Sequence, residues 1–492
     1  MAPTFNSVPA DSRVPFIYLE FDGAQAQQGP GLQPYKVLVV GLRKSGGSVA
    51  QKVPKLVTST DQAIGFFGAG SMLHQMAASL FANNKNTSAT FIALDETGTK
   101  ATGTITITGA ATAAGTVSLY VAGELIQVQV ASGDSVTVVA AAIAAAITAR
   151  THLPVTAAAA VGVVTLTAQQ SGTVGNSIDV RMNRFAGEAD PAGLTFVLVA
   201  VGGVVAGSGE ATVDATLWAA LGDEHFNVMA IGLAPSSAVY TALDTELADR
   251  AGPVRAIESV ACLASRDSHS NQITLGDGQN SEYMSTLGLE ALFLSLPWEA
   301  SAAYGGVIAR EGKTDPARPF QTLELSGLVA ADEADRYTLQ ERDLLLRDGI
   351  ATQKIGGGSS VLIERAITMY QETATGAPST AFLDVNTVLT LGFLRYDTRN
   401  RFAAKYPRHK LANDGTKVGA GQAVLTPSLI KAELLGYFLS WEELGLVEGF
   451  SQFKSDLIVE RSSTDPNRVD VVMPPDLVNQ LRVVGAAIRF LL

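Results

Sequence analysis

The chain has 492 residues, 47% of them hydrophobic and 17% charged, with a formal net charge of −12. That length holds roughly two to four domains, and the acidic balance argues against a nucleic-acid-binding protein as a whole. The single cysteine, Cys262, excludes an intramolecular disulfide and fits a reducing compartment.

Residues 1–35 read as an N-terminal arm. Met1 to Ser7 has no basic region leading into an apolar run, so no signal peptide is expected. Phe16 to Phe21 is strand-like. Pro3, Pro9 and Pro15 keep its approach extended, because proline blocks helix and biases the residue before it toward β or polyproline II. Gly29-Pro30-Gly31 and Pro34 detach this run from the α/β segment that begins at Lys36.

Residues 36–97 carry α/β signals. Lys36 to Gly41 resembles a buried strand of a parallel sheet. Ser59 and Ser71 open capped helices, and Ala89 to Leu94 is the next strand. Composition then shifts to Ala, Thr, Val and Gly. Residues 103–108, 117–121, 125–130, 163–167 and 177–182 alternate like half-buried strands around one helix, Ser135 to Arg150. Residues 98–209 are therefore expected to form an inserted, strand-rich α+β domain, with Gly202, Gly203, Gly207 and Gly209 at its exit. Its most apolar stretch, Val136 to Ala149, is shorter than the ~20 residues a membrane span needs.

The α/β pattern resumes over 210–375. Strands are expected at His225–Gly232, Arg255–Ala264 and Glu282–Leu287, and helices at Ser236–Arg250 and Ser301–Arg310. Alternation of this kind implies a mostly parallel sheet, here split by the insertion. Residues 376–475 read as an α+β C-terminal domain. Its helices are Thr387–Lys405 and Pro427–Val447, the second with Thr426 as N-cap and Pro427 at the first helical position. Its strands are Leu457–Arg461 and Val469–Met473, closed by Pro474-Pro475.

Residues 476–492 form a C-terminal arm. Most chains end in frayed polar residues; this one carries Val483, Ile488, Phe490 and Leu491. Fully burying such a side chain is worth roughly 1.5–3 kcal/mol, so the end is expected to dock. Arg482 to Leu492 reads as extended, although a helix through Leu477, Leu481, Val484 and Ile488 also fits the spacing. A terminal strand completes either its own sheet or a neighbour's. The same two options hold for Phe16, Ile17, Tyr18, Leu19 and Phe21.

No constellation for catalysis, metal or cofactor binding stands out. The five histidines are scattered, and no zinc-ligand spacing appears. Arg266-Asp-Ser-His-Ser270 puts an acid, a hydroxyl and a base close in sequence, but a triad converges from separate elements, so it reads as a polar loop. Cys262 reads as a small core residue. Gly356-Gly-Gly358 lacks the Lys-Ser/Thr of a phosphate loop and sits between two strand-like runs, as a hairpin turn does. The charge anomaly is Arg395 to Lys410. There Arg395, Arg399, Arg401, Lys405, Arg408 and Lys410 face one Asp, about +5 in a chain of −12. It reads either as a solvated helix face or as a surface for an acidic partner.

Three stretches resemble the sheath protein of contractile phage tails, in its Mu-like branch: "VPADSRVPFIYLEFD" at the start, "LLLRDGIATQKIGGGSSVLIERAITMYQ" at 344–371, and "DPNRVDVVMPPDLVNQLRVVGAAIRFLL" at the end. The resemblance covers nearly the whole chain and is weakest over about 98–205. It implies a split central domain with a subtilisin-like α/β fold and no protease activity. The chain lacks that protease's histidine motif and its Gly-Thr-Ser-Met-Ala segment. The resemblance also implies an inward C-terminal domain, which would make the six basic residues tube-facing. Both arms would add strands to a neighbour's C-terminal sheet. The implied partners are other copies of the chain in a helical polymer, the tail tube protein, and baseplate and tail terminator proteins, with no nucleic acid and no membrane insertion. The implied location is the host cytoplasm during assembly, then the virion tail, where the sheath contracts on a baseplate trigger. The alternatives are a non-contractile structural array or capsid-surface protein, and a divergent subtilisin-like hydrolase.

Overall fold

A computed structural model describes residues 33–419 and 421–490. Within it the chain divides into two compact units, one of residues 34–396 with 476–490 and one of residues 397–475. The first unit opens with β1 (Lys36–Arg43), β2 (Lys55–Val57), α1 (Thr60–Phe67), α2 (Met72–Asn83) and β3 (Ser88–Asp95). It then runs through β4 (Lys100–Gly109), β5 (Gly115–Val121), β6 (Glu124–Val130), α3 (Val136–Thr148), β7 (Val155–Ala160), β8 (Val163–Ser171), β9 (Val180–Met182) and β10 (Leu194–Val199). After these come α4 (Ala215–Leu221), β11 (Val228–Ile231), α5 (Ser237–Ala251), β12 (Val260–Asp267), α6 (His269–Asp277), β13 (Met284–Glu290) and α7 (Pro297–Thr314). The unit finishes with α8 (Leu339–Arg347), β14 (Ile350–Ile355) and β15 (Val361–Arg365), and α9 (Val385–Lys405) runs on into the second unit.

An eight-stranded sheet runs in the order β15-β14-β13-β12-β11-β1-β3-β2. Its interior pairings are parallel, with Val37 to Val40 in register with Val228 to Ile231. Only β2 and β15, at the two margins, run antiparallel. The interior strands are buried on both faces because helices cover both. On one face Ser301 of α7 donates to the carbonyls of Ile231 and Cys262, and Tyr304 bonds Ser285. On the other, Tyr240 of α5 bonds Thr286, one residue along and so on the opposite side of the pleat. Helix α7 starts earlier than its sequence suggests, at Pro297, where proline costs no hydrogen bond.

The edge beyond β15 is closed by residues 322–325: Thr322 N donates to Ile363 O at 2.8 Å, Ile363 N to Leu323 O at 2.9 Å, and Leu325 N to Val361 O at 2.8 Å. The opposite edge is only the three residues of β2, with Lys55 exposed, which is how natural sheets blunt an open margin.

None of β4 to β10 joins that sheet. They form a four-stranded antiparallel sheet, β10-β4-β8-β7, and a three-stranded one, β6-β5-β9. Helix α3 buries Val139, Ala140, Ile143, Ala144 and Ile147 against them, one stripe of its surface. The ends of the segment meet at a neck of glycines. Thr99 N donates to Ser208 O at 2.9 Å. A Cβ on Gly98 would lie 1.7 Å from Ser208 O, and one on Gly207 would lie 2.3 Å from Gly172 O. Gly98 also holds φ +82°, a left-handed value that only glycine adopts without strain. The segment is nevertheless packed onto the α/β body. Arg181 and Arg184 both pair with Asp332, at 3.3 and 2.8 Å, and Gln75 donates to His152 O at 2.8 Å.

The boundary between the units lies inside α9, between Tyr396 and Asp397, whereas the sequence places it at 376. The reason is packing: Val385, Val388 and Leu389 at the start of α9 belong to the first unit's core. The second unit contains the end of α9, α10 (Pro427–Glu443), α11 (Phe450–Asp456), a short parallel pairing of 410–411 with 424–425, and an antiparallel ribbon of 458–461 with 469–472. Thr426 caps α10 by accepting from Leu429 N, with Pro427 next, as the sequence predicts. Phe438 stacks on Phe453, ring centroids 4.2 Å apart, beside buried Leu434 and Trp441.

Candidate assembly interface

The one stretch suggestive of a triad is not the expected loop. Arg266 and Asp267 end β12, Ser268 caps α6, and His269 and Ser270 lie in its first turn. Each group already has a structural task. Ser268 Oγ accepts from Asn271 N, Asp267 accepts from the Ser268 amide and Asn271 Nδ2, and His269 Nε2 bonds the Glu341 carbonyl. The Cys262 thiol is fully buried in β12, and desolvation pushes its pKa well up, so it stays protonated. The turn at Gly356–Gly358 links β14 to β15, an antiparallel pair.

The crevice at the carboxyl ends of parallel strands, where open α/β sheets usually take ligands, is only partly covered by the inserted segment: a cavity of about 570 Å³ remains at the ends of β11 and β12, lined by Gly232, Ser265, Arg266, Asp267 and Trp298. Val174 reaches in and shares a small cavity with Leu42 at the end of β1 and with Leu233 and Ala234 after β11.

The basic segment is largely neutralised inside the molecule. Arg395 pairs with Glu258 at 3.0 Å and donates to Ala251 O. Arg401 pairs with Asp397 at 2.9 Å and lies over the Tyr437 ring. Lys405 pairs with Glu433 at 2.6 Å, and Lys410 donates to Gln422. Arg399 and Arg408 are exposed. Asp397 is 1% exposed and also accepts from Trp441 Nε1 at 2.7 Å. Arg401 therefore neutralises a buried carboxylate, so it is part of the fold as well as of the charge pattern.

The ribbon and the tail are unfinished. No side chain of the 458–461/469–472 ribbon is fully buried, and Ile458, Val471 and Val472 are exposed. Two strands alone are marginal in water and need a third strand or a helix to lean on; the strand 458–461 packs against α10, while the ribbon's other margin gains no further strand among the described residues. Residues 478–490 form no helix and pair as no strand, so over 482–490 the helix alternative does not hold and the extended reading has no partner strand among the described residues. The end does not dock on the chain's own body: Val483, Ile488 and Phe490 are 85, 93 and 78% exposed. Phe16, Ile17, Tyr18, Leu19, Phe21 and Leu491 lie outside the described residues.

Sequence reasoning missed Asp397 with Trp441, and it missed Arg482, whose guanidinium bonds Asp384 at 2.8 Å. A lone Asp amid six cations was a signal for the first. Nothing local marked the second.

The phage tail sheath protein central domain family matches residues 207–369, and the phage tail sheath C-terminal domain family matches residues 377–490. The Mu-like prophage FluMu tail sheath protein of Haemophilus influenzae is 39% identical over 496 residues, an alignment spanning 100% of both chains. The crystal structure of a sheath tail protein from Listeria innocua superposes with a TM-score of 0.51 at 13% identity, over 92% of this chain and 94% of that one, a likeness of fold.

Proposed function

Because the chain belongs to the phage tail sheath family and is thereby a structural subunit of the virion tail, not an enzyme, we propose that it polymerises helically around a tail tube by donating its arms as strands to neighbouring subunits. Contraction of that polymer, on a signal from the baseplate, drives the tube through the host envelope. The subtilisin-like character of the split α/β body and the outward position of residues 98–209 belong to the same reading. So do the inward C-terminal domain, assembly in the host cytoplasm, and contacts with tube, baseplate and terminator proteins.

The observation that carries it is the pairing of an unfinished acceptor with an uncovered donor. The ribbon at 458–472 has two strands and no fully buried side chain. The tail exposes Leu481, Val483, Val484, Ile488 and Phe490. Burying those five side chains is worth on the order of 10 kcal/mol gross, comparable with the ~4–15 kcal/mol cost of association. Main-chain hydrogen bonds of an added strand then supply the margin. Such links keep subunits joined while their packing changes, which heterologous, non-closing contacts in a contracting helix require.

Of the six basic residues, Arg408 is the one best placed to meet a tube, since it is exposed and Arg395, Arg401 and Lys405 have internal acidic partners. Electron microscopy of the purified chain tests the reading. Hollow cylinders support it; flat arrays would replace it with a non-contractile lattice, and persistent monomers at high concentration would remove it.

A further inference from the structure

Within residues 478–490 the tail is held at Arg482. Leu481 and Val483 are exposed, yet the Arg482 side chain between them is only 15% exposed. Its Nη2 donates to Asp384 Oδ1 at 2.8 Å and its Nη1 to Gln321 Oε1 at 3.2 Å. Asp384 is already held by Arg365, whose Nε and Nη2 donate to its two oxygens, each at 3.1 Å. Arg365 ends β15, Asp384 immediately precedes α9, and Gln321 stands just before the segment that closes the β15 edge. One carboxylate thus ties together the sheet margin, the root of α9 and the tail.

We propose that Arg482, clamped by Asp384, is the anchor from which the C-terminal arm is cast toward a second copy of this chain. This rests on the donated-arm reading above and adds where the arm begins. Ten residues, 483–492, lie beyond the anchor, and extended they reach at most ~35 Å. A short arm held at its root searches a small volume and leaves in a set direction, which raises its effective concentration at the neighbour's ribbon. The pair is mostly shielded from water, with side chains 15 and 18% exposed, so salt screens it little. Two guanidiniums share one carboxylate. Removing the carboxylate therefore leaves like charges facing each other, which pushes the tail off its seat.

The test uses Val484→Cys in the full chain, labelled with a fluorescent dye; Cys262 is buried and stays unlabelled. Adding Arg482→Ala is expected to lower the dye's anisotropy toward that of a free peptide and to leave the melting temperature within ~1 °C. It should slow polymerisation at least tenfold. Asp384→Ala is expected to loosen the dye as much or more, and Arg482→Lys to fall between Arg482→Ala and the parent. An unchanged anisotropy, an unchanged assembly rate, or a clear fall in melting temperature with Arg482→Ala would overturn the clamp. Cylinders formed by a chain ending at Arg482 would instead overturn the donated-arm reading, with the anisotropy still deciding whether the anchor exists.

Discussion

The margin of the central sheet at β15 and the ribbon at 458–472 are both strand edges, and the chain treats them in opposite ways. At β15 it lays residues 322–325 along the edge and satisfies the backbone with its own atoms. At the ribbon it stops at two strands and leaves Ile458, Val471 and Val472 in water. The tail beyond Arg482 repeats the contrast, with apolar residues outside any core. A body that closes its own edges folds alone. A ribbon and a tail that do not are, in the proposed polymer, completed by a neighbour. On that proposal the stability of the subunit and that of the polymer reside in different residues, and mutations should separate them.

The sharpest separation is a chain ended after Arg482. It should keep the parent's melting temperature and form no cylinders under the electron microscope, since nothing beyond that point belongs to the described core. A truncated chain that unfolds would erase the contrast.

The next largest effect lies in the body. Gly98→Ala puts a Cβ where Ser208 O already sits and forces a left-handed φ on alanine. A loss of ~3 kcal/mol or more is expected in urea unfolding, with soluble yield falling in step. A loss of similar size, about 3 kcal/mol, is expected for Asp397→Ala. That change leaves Trp441 Nε1 without its acceptor and Arg401 without its counter-ion. Arg401→Glu should be worse than Arg408→Glu, an exposed position, by comparative thermal melts.

The smallest effect is a titration in the body. Desolvation, with Glu124 adding to it, raises the Glu299 carboxyl from its usual 4.5 to about 7. A raised folded-state pKa means that stability is greatest when the group is protonated in both states, below about 4.5, and falls as pH rises toward 7. Glu299→Gln keeps an acceptor for Leu296 N and should flatten that fall, a gain on the order of 1 kcal/mol at pH 8 measured by denaturant midpoints.

Much of the body was legible because burial on both faces writes continuous apolar runs, as at Lys36–Gly41, and because caps such as Ser71 and Thr426 are local chemistry. Strand β7 was not legible: Val155 to Ala160 is mostly alanine, a helix former, and is strand only because β8 pairs with it. Strand β2 is three residues long and also owes its form to a neighbour. In the candidate interface, sequence could count the cations of 395–410. It could not see that Glu258, 137 positions away, and Glu433, on another helix, already answer two of them. The tail's apolar content was legible; its exposure was not, because sequence does not show that the described body leaves Val483, Ile488 and Phe490 uncovered.

The glycine neck has a practical side. Since Thr99 and Ser208 are paired as adjacent strands, the two ends of the intervening segment stand about 5 Å apart, the spacing at which any hairpin begins and ends. The neck is thus a ready-made socket. A foreign domain whose termini meet side by side could be spliced between them and, in the proposed polymer, carried in many copies, provided the graft retains Thr173–Ser177, whose Val174 lines a small cavity with Leu42 and Leu233 of the body.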